Sequence, residues 1–208
     1  TVYKVGYGLI MQIKKSRLSK KQEAGSVEIV FYTDPLCCWS WALEPQWRKL
    51  RYKYKGKVKW QYRMGGMLPN WDSFQDPINN ISRPLQMGPL WLEAKYKSGM
   101  PIHDKVWYEN PPKSSYPACI AVKAAGMQSP EAAEAYLRGV REAIMLKGKD
   151  ISDWEVLKET GVQLSSKDAA LLDYVRFEED LAGQQARDAF KSDLQDVRLH
   201  SISRFPTL

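Results

Sequence analysis

The chain has 208 residues, 44% hydrophobic and 12% aromatic, enough for one moderately large domain or a small domain carrying an insertion. No apolar run approaches the ~20 residues a membrane helix needs. Three cysteines cannot all pair with one another, which argues against a disulfide-stapled scaffold and for a reducing, cytoplasmic setting. The net charge of +7 is uneven: Arg48 to Arg63 carries eight positives and no acid, whereas Glu131 to Asp196 holds fifteen acids against nine bases. A basic front of this kind invites an anionic partner.

Residues 1–25 are polar and basic with weak periodicity ("KKSRLSKK" runs from Lys14 to Lys21) and read as an arm or linker ending near Gly25. The short run "VGYGLIM" lacks a preceding basic region and a following small-residue cleavage site, so it makes a poor signal peptide. "VEIVFYT" (Val27 to Thr33) is the near-continuous β-branched and aromatic run of a strand buried on both faces. Asp34-Pro35 stops it. From Leu36 to Tyr54 the pattern turns helical, with Leu43, Trp47, Leu50 and Tyr54 as the apolar stripe and Pro45 expected to kink the helix or remove a hydrogen bond. "KVKWQYRM" alternates, with Val58, Trp60, Tyr62 and Met64 on one face, so strand, helix and strand make a βαβ unit.

Residues 65–118 are rich in Gly, Pro, Asn, Trp and Met and predict loops and short helices. Helix starts follow: Ser129-Pro130-Glu131 puts proline at the first helical position, and Ser152 with Glu155, then Ser165 with Asp168, read as capping boxes. "EAAEAYLRGVREAIML" and "DAALLDYVRFEEDLAG" are amphipathic, and "QQARDAFKSDLQDV" returns to a helix. The expected organisation is an arm (1–25), the first part of an α/β domain (26–71), a helical insertion (72–182) and a return to the α/β domain (183–208).

The stretch "TDPLCCWSW" carries the chemistry. Cys37 falls where a buried strand meets a helix, and there free backbone N–H groups and the helix dipole favour a thiolate. Such a site lowers a thiol from about 8.5 toward the ~3.5–7.5 range and creates the nucleophile of thiol–disulfide exchange. The alternative for Cys37 is a small buried hydrophobe. One helical turn on, where a resolving thiol would release a mixed disulfide, stands Ser40; it is either a solvated or capping residue or it donates to the Cys37 sulfur. Cys38 reads as a packing residue ahead of a redox one, because adjacent helical residues diverge by about 100° and a neighbour disulfide is strained. Cys119 is a core residue or, failing that, a resolving thiol reaching Cys37. His103 and His200 are too few and too far from any cysteine pair for a metal site, so none is expected. The rings of "WRKLRYKYKGKVKWQYR" fall on buried phases, which leaves a solvated basic face rather than a nucleic-acid platform; that face still suits an anionic thiol such as glutathione.

At these residues the chain resembles the DsbA-like branch of the thioredoxin fold, which includes FrnE-type dithiol–disulfide isomerases, kappa-class glutathione transferases and the Spx adaptors. "FYTDPLCCWSWALEP" is similar to that branch's strand–turn–helix, in which Asp-x-x-Cys-Pro-x-Cys is common. Cys37 matches the nucleophile, Cys38 the usual proline and Ser40 the resolving cysteine. "RFPTL" resembles the cis-proline loop, putting Pro206 in that role, and "SSYPACIAVKAA" resembles the insertion helix that starts near the active site. The likeness covers most of residues 26–208.

The resemblance implies a thioredoxin-like α/β fold with a large helical insertion. It also implies a thiol–disulfide oxidoreductase or isomerase in which Cys37 attacks and Ser40 supports the thiolate. Trp39, Trp41, Phe205 and Pro206 would border or hold the substrate. With no second cysteine in the motif, glutathione or another external thiol would resolve the mixed disulfide; no other cofactor is expected. The partners would be a protein disulfide or glutathione. The alternative is a non-catalytic adaptor on the same fold, as the Spx adaptors are. The family continues after its cis-proline with a β-hairpin and a closing helix, whereas these 208 residues stop two residues after Pro206, so either those elements follow in a longer chain or the fold is completed some other way.

Overall fold

The computed structural model describes residues 27–208 in full and the backbone of residues 2–5 and 9–12. Within the expected arm, β1 (Val2–Val5) and β2 (Leu9–Gln12) pair antiparallel, from Val2 opposite Gln12 to Val5 opposite Leu9. The basic run Lys14 to Lys21 and the boundary near Gly25 lie outside the described residues.

The βαβ unit forms as its hydrophobic pattern dictates. β3 (Val27–Thr33) and β4 (Val58–Met64) are parallel, in register from Val27 opposite Val58 to Thr33 opposite Met64. β3 is not buried on both faces throughout: Val27 is exposed, and full burial begins only at Phe31. Its covered end leads into the turn that holds Asp34 and Cys37. On its other edge, Tyr32 exchanges both backbone hydrogen bonds with Thr207 in an antiparallel bridge, at 2.9 and 3.0 Å. This bridge brings the chain's last residues beside the turn.

Between the strands runs α1 (Cys38–Lys53), continuous across Pro45, whose ring faces outward. Its buried stripe is Cys38, Trp41, Glu44 and Trp47, not the expected Leu43–Trp47–Leu50–Tyr54 row. Leu43 and Leu50 are half-buried and Tyr54 is exposed. The stripe is rotated because Glu44 takes a core position, paired with Arg138 at 3.2 Å and Arg141 at 3.6 Å from another helix. Hydropathy alone assigns a glutamate to solvent.

The remaining helices are α2 (Met87–Ser98), preceded by a 3₁₀ turn at Pro84–Gln86, then α3 (Val106–Glu109), α4 (Tyr116–Gly126), α5 (Pro130–Met145), α6 (Trp154–Lys167), α7 (Tyr174–Ala182) and α8 (Gln184–Leu199). α4 packs on α5, α6, α7 and α8. It has the small side chains for this central place: Ala118, Ala121, Ala124 and Ala125 are all fully buried, so neighbouring backbones approach closely.

Ser129 caps α5, accepting from Ala132 N–H with Pro130 at the first position, as the sequence predicts. The other two caps differ. Asp153, not Ser152, caps α6, because the Ser152 hydroxyl is committed to Asp150 at 2.6 Å. Ser165 lies inside α6, and the next helix starts later than expected, at Asp173, which accepts from Arg176 N–H. Aspartate outcompeted serine at both starts, as a charged acceptor at a helix N-terminus does.

Candidate active site

The turn after β3 is built on Asp34. Its Oδ1 accepts from Leu36 N–H at 2.9 Å, and its Oδ2 from Met67 N–H at 2.7 Å and Ser115 Oγ–H at 3.0 Å. The Cys119 thiol approaches the same Oδ2 at 3.5 Å. One buried carboxyl therefore ties the turn to the loop after β4 and to the start of α4. Cys119 is fully buried in this contact, and burial pushes its thiol well above the ordinary range.

Cys37 is the N-cap of α1, and its Sγ accepts from Ser40 N–H at 3.3 Å, a place usually taken by serine, threonine or aspartate. The thiol donates to Phe205 O at 3.3 Å across the cleft, and the Phe205–Pro206 peptide bond is cis. The cis-proline loop is seated by Gly65 and Gly66 after β4. Gly65 N–H donates to Thr33 O, and a Cβ at Gly65 would lie 2.2 Å from the Phe205 ring, so only glycine admits it.

A cleft of about 710 Å³ opens between this loop, the residues 74–79 and α2; Cys37, Trp39, Met67, Phe74, Leu90 and Phe205 are among its walls. Trp39, Phe205 and Pro206 thus lie on the cleft with Cys37. Trp41 does not: it is 2% exposed in the core, its indole N–H donating to Pro101 O at 3.0 Å. In a helix beginning at Cys38, residue 41 points inward while residue 39 points out, which corrects the expectation that both tryptophans border the cleft.

The Cys37 thiol also departs from expectation. Cys37 is only 4% exposed, and burial pushes the thiol above its ordinary value; the Ser40 hydroxyl and N–H and the Arg141 guanidinium pull it back, and Asp34 adds to the rise. The helix-terminus effect is present, but desolvation outweighs it. Cys38 is buried in the core, with its thiol pushed well up by burial. All three cysteines are free.

Two participants escaped the sequence reading. Thr33 Oγ1–H donates to Ser40 Oγ at 2.8 Å, and Arg141 Nη2 donates to Thr33 Oγ1 at 2.5 Å. A signal for Arg141 existed: at helical spacing it falls among Leu137, Val140 and Ile144, the buried face of α5.

The thioredoxin family model matches residues 30–208. The ClpXP adapter protein SpxH of Halalkalibacterium halodurans is 29% identical over 188 residues, 90% of this chain and 60% of that protein. SpxH of Bacillus subtilis is 30% identical over 184 residues, covering 88% and 57%. The chain spans about 60% of the length of the curated relatives it matches. Among solved structures, the cytosolic disulfide reductase DsbM from Pseudomonas aeruginosa with GSH superposes with a TM-score of 0.65 at 21% identity, covering 86% of this chain and 84% of that one. The fold is thioredoxin-like with a large helical insertion, and the chain belongs to the thioredoxin family.

Proposed function

We propose that this chain is a DsbA-like thiol–disulfide oxidoreductase or isomerase acting through Cys37, with a C-x-x-S motif resolved by an external thiol such as glutathione. The observation that carries the reading is the position of the Cys37 sulfur: at the N-terminus of α1, on the wall of a cleft and facing the cis Phe205–Pro206 loop. Cys37 releases its proton to solvent and attacks one sulfur of a substrate disulfide. A new S–S bond forms to Cys37 as the old one breaks, and the departing sulfur leaves as a thiolate. A glutathione thiolate then attacks the substrate sulfur, expelling the Cys37 thiolate and leaving a glutathione–substrate disulfide. Trp39, Phe205 and Pro206 hold the substrate; Ser40 supports the sulfur. The setting is cytoplasmic, in keeping with the cytosolic reductase of the same fold.

Because burial raises the thiol, exchange rises about tenfold per pH unit above neutrality until the Cys37 pKa is passed. The test is recovery of a mixed disulfide after incubation with oxidised glutathione, read by mass spectrometry. We expect it on Cys37, lost in Cys37→Ala and kept in Cys38→Ala and Cys119→Ala. A folded wild-type protein that forms none, at any pH up to the thiol's pKa, overturns the enzyme reading.

The second reading is a non-catalytic protein-binding adaptor, favoured by the name of the relatives, ClpXP adapter protein SpxH, and by the near-complete burial of Cys37. Partner capture that survives Cys37→Ala, without any mixed disulfide, would support it.

A further inference from the structure

Arg141 is 1% exposed on the apolar stripe of α5 and is not among the cleft walls. Burying a guanidinium strips its hydration, which its protein partners must replace. Its charge is answered only loosely: Glu44 Oε2 stands 3.6 Å from Nη1 while the same carboxylate's Oε1 pairs with Arg138, and Nε has no hydrogen-bond partner. The close contact is Nη2 to Thr33 Oγ1.

The consequence lies in the direction of the protons. A guanidinium only donates, so Thr33 Oγ1 accepts there and its own hydrogen goes on to Ser40 Oγ. The Ser40 oxygen is thereby an acceptor on that side, which leaves its own hydrogen free to turn toward the Cys37 sulfur one helical turn away, where the hydroxyl favours the thiolate. Arg141 and Thr33 thus both donate toward Ser40, the residue whose backbone N–H donates to the Cys37 sulfur at 3.3 Å.

We propose that Arg141 is a positioning residue for the Cys37 thiol: by fixing the direction of the Thr33–Ser40 hydrogen-bond chain, it secures a hydroxyl donor on the sulfur and supports negative charge there. This rests on the reading of Cys37 as a reactive thiol. The other charged groups around the sulfur do not substitute for the chain. Asp34 in the turn opposes ionisation, Glu44 on α1 faces Arg141, and Glu93 and Lys97 of α2 and Arg204 of the cis-proline loop stand on the cleft walls.

The test is the pH profile of Cys37 alkylation by iodoacetamide in the full chain, with the modified cysteine located by peptide mass spectrometry and folding checked by circular dichroism. Thr33→Val breaks the chain without touching the guanidinium. We expect the midpoint to rise by about one pH unit, slowing alkylation near neutral pH about tenfold, with the high-pH plateau rate unchanged and Thr33→Ser restoring the wild-type profile. Arg141→Gln is expected to shift it the same way. Ser40→Ala removes the last link independently and answers the question if Thr33→Val does not fold. Folded Thr33→Val or Ser40→Ala with a wild-type profile would overturn the inference alone. A wild-type Cys37 that resists alkylation across the profile would overturn the reactive-thiol reading, and the inference with it.

Discussion

Asp34 offers two carboxyl oxygens to four donors while fully buried, and this shapes what its replacement does. Burial raises its pKa, and the N–H groups of Met67 and Leu36 oppose that rise. Asp34→Ala would leave those two N–H groups unpaired at about 1–3 kcal/mol each. We therefore expect a loss of about 3 kcal/mol, read from urea midpoints, with Asp34→Asn losing less because one acceptor oxygen survives. At Cys37 the same competition runs between burial and donors, and there the unpredicted residues Thr33 and Arg141 enter. Cys37 was legible because strand, turn and helix are local signals. Its raised thiol was not, since desolvation depends on residues 168 positions away, such as Phe205.

At the scale of elements, the cis-proline loop and the end of β4 are one unit. Phe205 occupies the space a Gly65 side chain would need, and Gly66 has φ +60° with Leu194 and Tyr116 close by. Gly65→Ala is expected to cost about 1–3 kcal/mol by overpacking and to displace the Phe205 carbonyl from the Cys37 thiol. Mixed-disulfide formation should slow, and Phe205→Ala in the same chain should recover the stability loss. Unchanged melting of Gly65→Ala would refute the contact. Helix starts tell a similar story of competition. Ser129 caps as its Ser-Pro-Glu pattern predicts, whereas Ser152 and Ser165 lose to aspartates that the capping-box pattern overlooks.

Across the whole molecule, Asp193 of α8 joins the insertion to the sheet. It is buried, accepts from Met64 N–H of β4 at 2.9 Å, and pairs with Lys123 of α4 at 2.8 Å and Arg63 of β4 at 3.6 Å. Removing one member of a buried pair strands the others, so Asp193→Ala is expected to cost about 3–5 kcal/mol. Lys158→Ala, which breaks exposed pairs with Glu155 and Glu178, should leave the urea midpoint nearly unchanged; equal urea midpoints for the two variants would refute the role of Asp193. By itself, the sequence determined the βαβ unit, the amphipathic helices and the cysteine at the strand-to-helix junction, because hydrophobic period and turn chemistry act over a few residues. Only the tertiary structure decided which face of α1 is buried, that Trp41 leaves the cleft and Trp39 stays, and that Arg141 donates to Thr33, which donates in turn to Ser40. Those outcomes follow from charges and rings meeting across distant segments, where a buried Glu44 is tolerable only once two arginines of α5 arrive beside it.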